Sequence, residues 1–272
     1  MSMSVTILGC GSSAGVPRIG NDWGKCDPAN PRNRRRRCSV LVTRSGPQGK
    51  TCVLVDTSPD LREQMLSSGV SDLDAVLFTH EHADHTHGID DLRAFYLMKR
   101  QRVPVWADDA TGRMLTTRFA YCFYTAPGSD YPPIIQLNPM QAGKPIEING
   151  LGGGITALPF HVHHGTIDAL GFRIGAMAYT PDIDGVPDDS LKALENLDLW
   201  IVDGLRRSRH PSHWCLAQTL EWISRMKPKR AVITNMHVDL DYETLTRELP
   251  EGVVPAHDGL ELDFPEDAQN IP

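Results

Sequence analysis

Three imidazoles and two carboxylates, Glu81 and Asp84, fall within the six residues that follow Thr79: His80-Glu81-His82-Ala83-Asp84-His85. They come directly after a strand-like apolar run, Asp74–Thr79, so they emerge at the carboxyl end of a strand. Alternate residues of an extended chain share a face, which lets His80 and His82 converge on one ion. If the chain turns into a helix near Asp84, then Asp84 and His85 swing toward a second ion. Neutral imidazoles with a carboxylate suit zinc, manganese or iron, and the lack of thiolates argues against a closed structural zinc site. The plainer alternative is a solvated polar loop whose imidazoles bond to backbone groups. It leaves so dense a run of metal-type donors without a reason.

The His-x-His-x-Asp-His pattern after a strand resembles the metallo-β-lactamase superfamily, and the resemblance extends over nearly the whole chain. It implies three further ligands in order. The first is a His after a later strand. Leu158-Pro159-Phe160-His161-Val162-His163-His164-Gly165 supplies it, with His164 before Gly165 matching the family pattern better than His161 or His163. The second is a bridging acid, for which Tyr179-Thr180-Pro181-Asp182 offers Asp182. The third is irregular. The family places a His directly after the Thr that ends a late strand, but this chain reads Val232-Ile233-Thr234-Asn235-Met236-His237. His237 reaches the same side if the segment stays extended, whereas Asn235 keeps the family's place but is a poor ligand for a zinc-like ion. His237 is the favoured seventh ligand, with Asn235 left open.

A second constellation, Leu205-Arg206-Arg207-Ser208-Arg209-His210-Pro211-Ser212-His213-Trp214, follows the strand ending in Asp203 and leads into a helix. It resembles the branch that holds the phosphonate-utilisation phosphodiesterase and, more distantly, the tRNA 3′-processing endonuclease. That branch implies a role for His213 as proton donor to the leaving oxygen, with His210 and Ser212 near the substrate. Imidazole titrates near neutrality, and phosphodiester hydrolysis needs a proton as the leaving group departs. A helix-start role, with Ser212 as cap, competes with this assignment.

Gly9-Cys10-Gly11-Ser12-Ser13-Ala14 matches the dinucleotide fingerprint only loosely, since Pro17, Arg18 and Gly20 stand where a helix should run. It reads better as a glycine-rich turn beside the metal cleft. The cluster Arg32-Asn33-Arg34-Arg35-Arg36-Arg37 reads as a solvated or supporting segment, with phosphate contact by one Arg left open. The resembling phosphodiesterases hold an extra structural zinc on three Cys and a His. Here Asn21 and Trp23 replace two of those Cys, Cys26 remains, and Val238 stands at the His position, so that ion is not expected.

The elements that must position these groups follow from a 272-residue chain with 40% hydrophobic residues, enough for a sizeable core and against disorder. A formal charge of −7 argues against binding long nucleic acid. No secretory signal or membrane-length apolar run is visible, so a cytoplasmic location is expected. The six Cys lie in core-like positions or lack the near partners of a zinc knuckle, which predicts reduced thiols. Strands are predicted at Val5–Leu8, Ser39–Thr43, Cys52–Val55, Ala75–Thr79, Val103–Trp106, Gly154–Pro159, Ala169–Ala176, Leu199–Val202 and Arg230–Thr234. Helices are predicted at Pro59–Ser68, Asp90–Arg100 and Trp214–Met226.

This order suits an α/β fold: a four-layer αββα sandwich of metallo-β-lactamase type over a single domain, residues 1–272. The resemblance implies two divalent ions, Zn or Mn. His80, His82 and His164 would hold one, Asp84, His85 and His237 the other, with Asp182 bridging. It implies hydrolysis of a nucleotide-like or cyclic-nucleotide phosphodiester by a metal-bridging hydroxide, with Asp84 and His213 in catalytic positions. A thioester, lactone or β-lactam hydrolase on the same site is one rival. A nucleotide-binding module without catalysis, suggested by Asn235, is another. A homodimer is left open.

Overall fold

The computed structural model describes residues 2–266. The first half contributes β1 (Ser2–Gly9), β2 (Ser39–Gly46), β3 (Gly49–Val55), β4 (Ala75–Leu77), β5 (Val103–Ala107) and β6 (Ile135–Pro139). The second contributes β7 (Ile146–Ile148), β8 (Ile155–His164), β9 (Ile167–Ile174), β10 (Met177–Thr180), β11 (Leu199–Asp203), β12 (Arg230–Thr234), β13 (Val253–Pro255) and β14 (Glu261–Phe264). Among the described residues they form two seven-stranded sheets, ordered β14-β1-β2-β3-β4-β5-β6 and β13-β12-β11-β10-β9-β8-β7.

The period-2 alternation of strands sorts side chains between two cores. Val5, Ile7, Val40, Val42, Val53 and Val55 point inward and pack against Phe160, Val162, Phe172 and Tyr179 of the second sheet. Their neighbours Leu8, Leu41, Cys52 and Leu54 point outward, under the helices. Each such aliphatic side chain, fully buried, is worth about 1.5–3 kcal/mol.

The outer layer over the first sheet comprises α1 (Leu61–Ser68), α2 (Ala83–Thr86), α3 (Arg93–Lys99), α4 (Asp109–Arg118) and α5 (Ala120–Phe123). α1 buries Leu61 and Met65 and stops at Gly69, whose left-handed backbone lets its N–H reach the Met65 carbonyl. The predicted helix at Asp90–Arg100 is split into a 3₁₀ turn at Ile89–Leu92 and α3. Over the second sheet, α6 (Leu216–Met226) lays Leu216 and Ile223 into the main core, and α7 (Tyr242–Glu248) adds Leu245. The result is the αββα sandwich that the element order predicts.

β8 is longer than predicted and runs on to His164. Along it Phe160, Val162 and His164 are buried, while His161 and His163 are exposed. That alternation gives the physical reason why His164, and neither neighbouring His, faces inward.

β10, β11 and β12 are mutually parallel, as are β3, β4 and β5. Their carboxyl ends carry Asp182, Asp203 and Asn235 from one sheet, and Asp56 and His80 from the other. Both sheets close together there: Leu170 N–H donates to the Thr79 carbonyl at 2.9 Å, and Met236 N–H to that of Cys10 at 2.8 Å. Open sheets bind ligands at that end of parallel strands. All six Cys are buried free thiols, and among the described residues no helix is long and apolar enough to cross a membrane.

Candidate metal centre

His80 and His82 follow β4, His82 in extended backbone, and α2 begins at Ala83, so Asp84 and His85 rotate to a different side. One ligand atom from each of His80, His82, His164 and Asp182 lies within 4.8 Å of the others. The imidazoles crowd without stacking: centroids are 4.6 Å apart for His80–His82 and 5.0 Å for His82–His164. On the far side of Asp182, His85 Nε2 stands 3.1 Å from its Oδ1 and 3.5 Å from Asp84 Oδ2. Asp182 therefore lies between two groups of donors.

Hydrogen bonds fix which ring nitrogen faces this space. Asp56, at the end of β3, is fully buried; it accepts from Thr79 N–H and Oγ1–H at 2.8 Å each and from His85 Nδ1–H at 2.7 Å. With its own proton given to Asp56, Thr79 Oγ1 accepts from His80 Nδ1–H at 2.9 Å. His164 Nδ1–H donates to the Ser212 carbonyl at 2.7 Å. All three rings thus turn an Nε2 lone pair inward. His80 Nε2 and His85 Nε2 are buried without any hydrogen bond. Buried unpaired acceptors are costly, so these atoms call for a cation. His164 Nε2 faces His82 Nδ1 at 3.2 Å, a close approach that a shared cation also relieves. The donor set fits divalent ions of the zinc type.

Burial lowers the pKa of His80 and of His164, which favours the neutral form that ligates. Burial opposes charge on Asp182 and on His85 alike, yet each stabilises the other: His85 rises well above the ordinary imidazole range, and His85 with His213 holds the Asp182 carboxyl well below its own, so that a bound cation would take the place of the His85 proton. The carboxylate is therefore an anion.

His213 Nδ1 bonds Asp203 Oδ2 at 2.7 Å, while its Nε2 lies 3.8 Å from Asp182 Oδ2. Burial works against charge on His213, but Asp203 and then Asp182 push its pKa up to about 9. Burial in turn raises Asp203 to about 7 against the pull of His213. His210 stands 5.0 Å from the His213 ring and accepts from Ser212 N–H at 3.3 Å. The predicted helix start is shifted: α6 begins after Cys215, and Ser212 caps nothing. Asp56 and Asp203 both escaped the sequence reading. Each closes an apolar strand, after Val55 and Val202, which is the one signal that could have found them.

His237 is not brought to the cluster. The premise for placing it there was an extended segment after Thr234, and Asn235 instead turns the chain with a left-handed backbone, φ 58°. His237 then bonds Arg18 through Nε2 and Asp239 through Nδ1, the latter at 3.2 Å. Asn235 takes the place beside Asp182, with Nδ2 at 3.4 Å from Oδ1.

The glycine-rich turn lies where expected. A Cβ on Gly9 would sit 2.0 Å from the Arg37 carbonyl, so that glycine lets the turn pack against the backbone of the arginine segment. The arginine cluster is supporting: Arg35 is buried and donates to the Leu240 carbonyl at 2.7 Å, Arg36 pairs with Asp258, and Arg37 with Asp60. Near it Val16, Trp23, Cys26 and Val238 pack as an apolar cluster.

A cleft of about 370 Å³ opens over the cluster, with Ser12, Ser13, Arg18, Arg206, His210 and His213 among its lining residues.

Residues 51–236 match the model of the β-lactamase superfamily domain. A solved diphosphatase of the PhnP family is 36% identical, with a TM-score of 0.87 over 97% of this chain and 98% of its own. Human tRNase Z, short form, shares the fold at 16% identity and a TM-score of 0.61, over 96% and 99% of the two chains. An octanoyltransferase of Porphyromonas gingivalis is 33% identical over 264 residues; these are 95% of this chain but only 51% of that protein, so the chain spans about half of it. Superfamily match and full-length likeness agree with the geometry, and the chain belongs to the β-lactamase superfamily, on the branch of the PhnP family.

Proposed function

We propose that the protein is a metal-dependent phosphodiester hydrolase. The observation that carries this reading is the Asp203–His213 pair beside the donor cluster, with His213 Nε2 3.8 Å from Asp182 and open to the cleft. His80, His82, His164 and Asp182 would hold one divalent ion. Asp84, His85 and the shared Asp182 would hold a second, with Asn235 alongside. Such ions, when bound, supply Lewis acidity and a hydroxide nucleophile at neutral pH.

The chain's own residues do the rest. Asp56, Thr79 and the Ser212 carbonyl keep three Nε2 lone pairs aimed inward. Asp203 holds His213 Nδ1–H, leaving the Nε2 proton for the departing ester oxygen. The likeness to a diphosphatase supports phosphorus as the reacting centre.

A second reading, hydrolysis of an acyl thioester, draws on the octanoyltransferase match. The cleft speaks against it. An acyl chain needs apolar walls, and Ala14 and Leu205 are the only apolar residues among those lining the cleft. A metal-supplemented panel of phosphodiesters, phosphomonoesters, thioesters and lactones tests the choice. Turnover of phosphodiesters above the others is expected; thioester turnover without phosphodiester turnover overturns the proposal.

A further inference from the structure

One wall of the cleft is not accounted for by the metal ligands or by His213. Its residues include Arg18 and Arg206, whose charges both act on the His237 ring, together with Ser12 and Ser13. The carboxylates lining the cleft are Asp84 and Asp182, and both belong to the donor cluster. In a chain of formal charge −7, two guanidiniums facing a cleft whose only lining carboxylates belong to the donor cluster mark a place for an anion, Asp22 pairing with Arg18 from outside that lining.

The wall is built. Arg18 leans on His237 Nε2, which must offer a lone pair, so the ring carries its proton on Nδ1 and gives it to Asp239 Oδ1 at 3.2 Å. Burial, and then the nearby Arg18, hold the His237 pKa below its ordinary value, in keeping with a neutral ring. Asp22 Oδ2 steadies the other end of the Arg18 guanidinium at 3.5 Å. Arg206 is fixed by the carbonyls of Ser208 at 3.3 Å and Arg209 at 2.8 Å. The turn from Ser12 to Gly15 closes through Gly15 N–H to the Ser12 carbonyl at 2.7 Å. The backbone N–H groups of Ser13 and Ala14, in the middle of that turn, have no acceptor among the described residues. Free N–H groups in a tight turn are a recurrent anion cradle.

We propose that Arg18 and Arg206 form a second phosphate subsite, so that the substrate class is a diphosphate diester, with one phosphorus at the His–Asp cluster and the neighbouring phosphate on the two guanidiniums. The proposal rests on the phosphodiester reading and narrows it. In the reaction the oxygen of water bonds to the cluster-side phosphorus and the P–O–P bridge breaks. The bridge oxygen leaves with the bond's electron pair on the arginine-side phosphate. The two protons of water end on the two phosphomonoester products. Arg18 and Arg206 meet the charge that appears on the leaving phosphate. His237 acts as a positioning residue for Arg18.

The test compares a dinucleoside diphosphate, P¹,P²-di(adenosine-5′) diphosphate, with a simple phosphodiester, thymidine 5′-(4-nitrophenyl) phosphate, on the metal-loaded protein. The ratio of kcat/KM for the first over the second is the readout. Arg18→Ala and Arg206→Ala should each lower that ratio about tenfold, through KM and kcat together, as loss of a charge-assisted contact worth about 1.4 kcal/mol in the transition state requires. Arg18→Lys should recover part of it, since charge remains and the fork is lost. Calorimetry with adenosine 5′-(α,β-methylene)diphosphate against adenosine monophosphate gives a readout without turnover, and its affinity advantage should shrink in both Ala variants. A ratio unmoved in both variants overturns the subsite and leaves the phosphodiester reading standing. Absence of wild-type turnover on both substrates, with metal bound, overturns that reading itself. His237→Ala should keep its metal by elemental analysis and lower the ratio as Arg18→Ala does; loss of metal would return His237 to the ligand set and remove the arrangement drawn for Arg18.

Discussion

Asp56 Oδ2 accepts the Nδ1 proton of His85 at 2.7 Å while the same carboxylate holds Thr79 at both its backbone and its hydroxyl. One buried carboxylate thereby orients two imidazoles, His85 directly and His80 through Thr79. Outer partners of this kind set ligand tautomer and basicity, and their loss costs about 10- to 100-fold in metal affinity. Asp56→Asn keeps the size and suits the left-handed backbone at φ 65°. It should bind the ion at His85 that much more weakly, with the fold intact by circular dichroism. Chelator competition at unchanged affinity would separate Asp56 from the metal centre.

The leaving group separates a proton donor from a general charge at His213. His213→Ala should keep its metals and lose about 10²- to 10⁴-fold on alkyl phosphodiesters, the usual worth of acid catalysis. With nitrophenyl esters, whose leaving group departs unprotonated, the loss should be far smaller. Equal losses on both would assign His213 to positioning or charge stabilisation. Asp203→Asn should reproduce the same selectivity more weakly, because the ring is then held by an amide.

Metal content distinguishes the two residues competing for the end of β12. Asn235 touches Asp182 and also lies 3.3 Å from His213 Nδ1, whereas His237 is engaged by Arg18 and Asp239. Asn235→Ala should lower second-ion occupancy and turnover, and His237→Ala should leave occupancy near the wild-type level. The opposite order in elemental analysis would place the imidazole of His237 on the ion.

Acid stability has a local source at Asp241. Its Oδ1 caps α7 through Thr244 N–H at 2.9 Å, and its Oδ2 accepts from Asn33 Nδ2 at 2.7 Å. Burial opposes the charge, but these bonds, with one from Asp27 N–H, bring the pKa down to about 2. A depressed carboxyl pKa stabilises the fold above the unfolded value of about 3.9 and loses that contribution as pH falls through about 2. Asp241→Ala should cost about 0.5–2 kcal/mol at neutral pH, as lost caps do. The gap to wild type in urea unfolding should close between about pH 4 and pH 2. A gap independent of pH would mean that packing, and not the carboxylate, is lost.

The local run His80–His85 was readable because its donors are neighbours in the chain and the strand-to-helix change lies between them. His164 was readable in part from the alternation along β8, and Asp182 only in company with the others. Asp56 and Asp203 were not, since each acts across the sheet on a residue ten or more positions away, and an Asp at a strand end is an ordinary turn residue by itself. His237 lies apart from the donor cluster because of one backbone angle at Asn235, for which the residue type, Asn being tolerant of the left-handed region, was the only signal in the sequence. The helices α4, α5 and α7 were not foreseen. Among the strands, β6, β7, β10, β13 and β14 went unseen. Each has five residues or fewer, too short for a period-2 signal to rise above the composition around it.

The contact of Trp23, Val16 and Cys26 with Val238 joins the loop bearing Arg18 to the segment bearing His237 and Asp239. Cys26 Sγ–H adds a bond to the Val238 carbonyl at 3.5 Å. That rivet is greasy, and so indifferent to chelators. Stripping the ions with a chelator should therefore leave the substrate rim standing. If the donor cluster holds ions as proposed, the stripped protein should be a reusable shell in which different divalent metals can be compared against an unchanged wall.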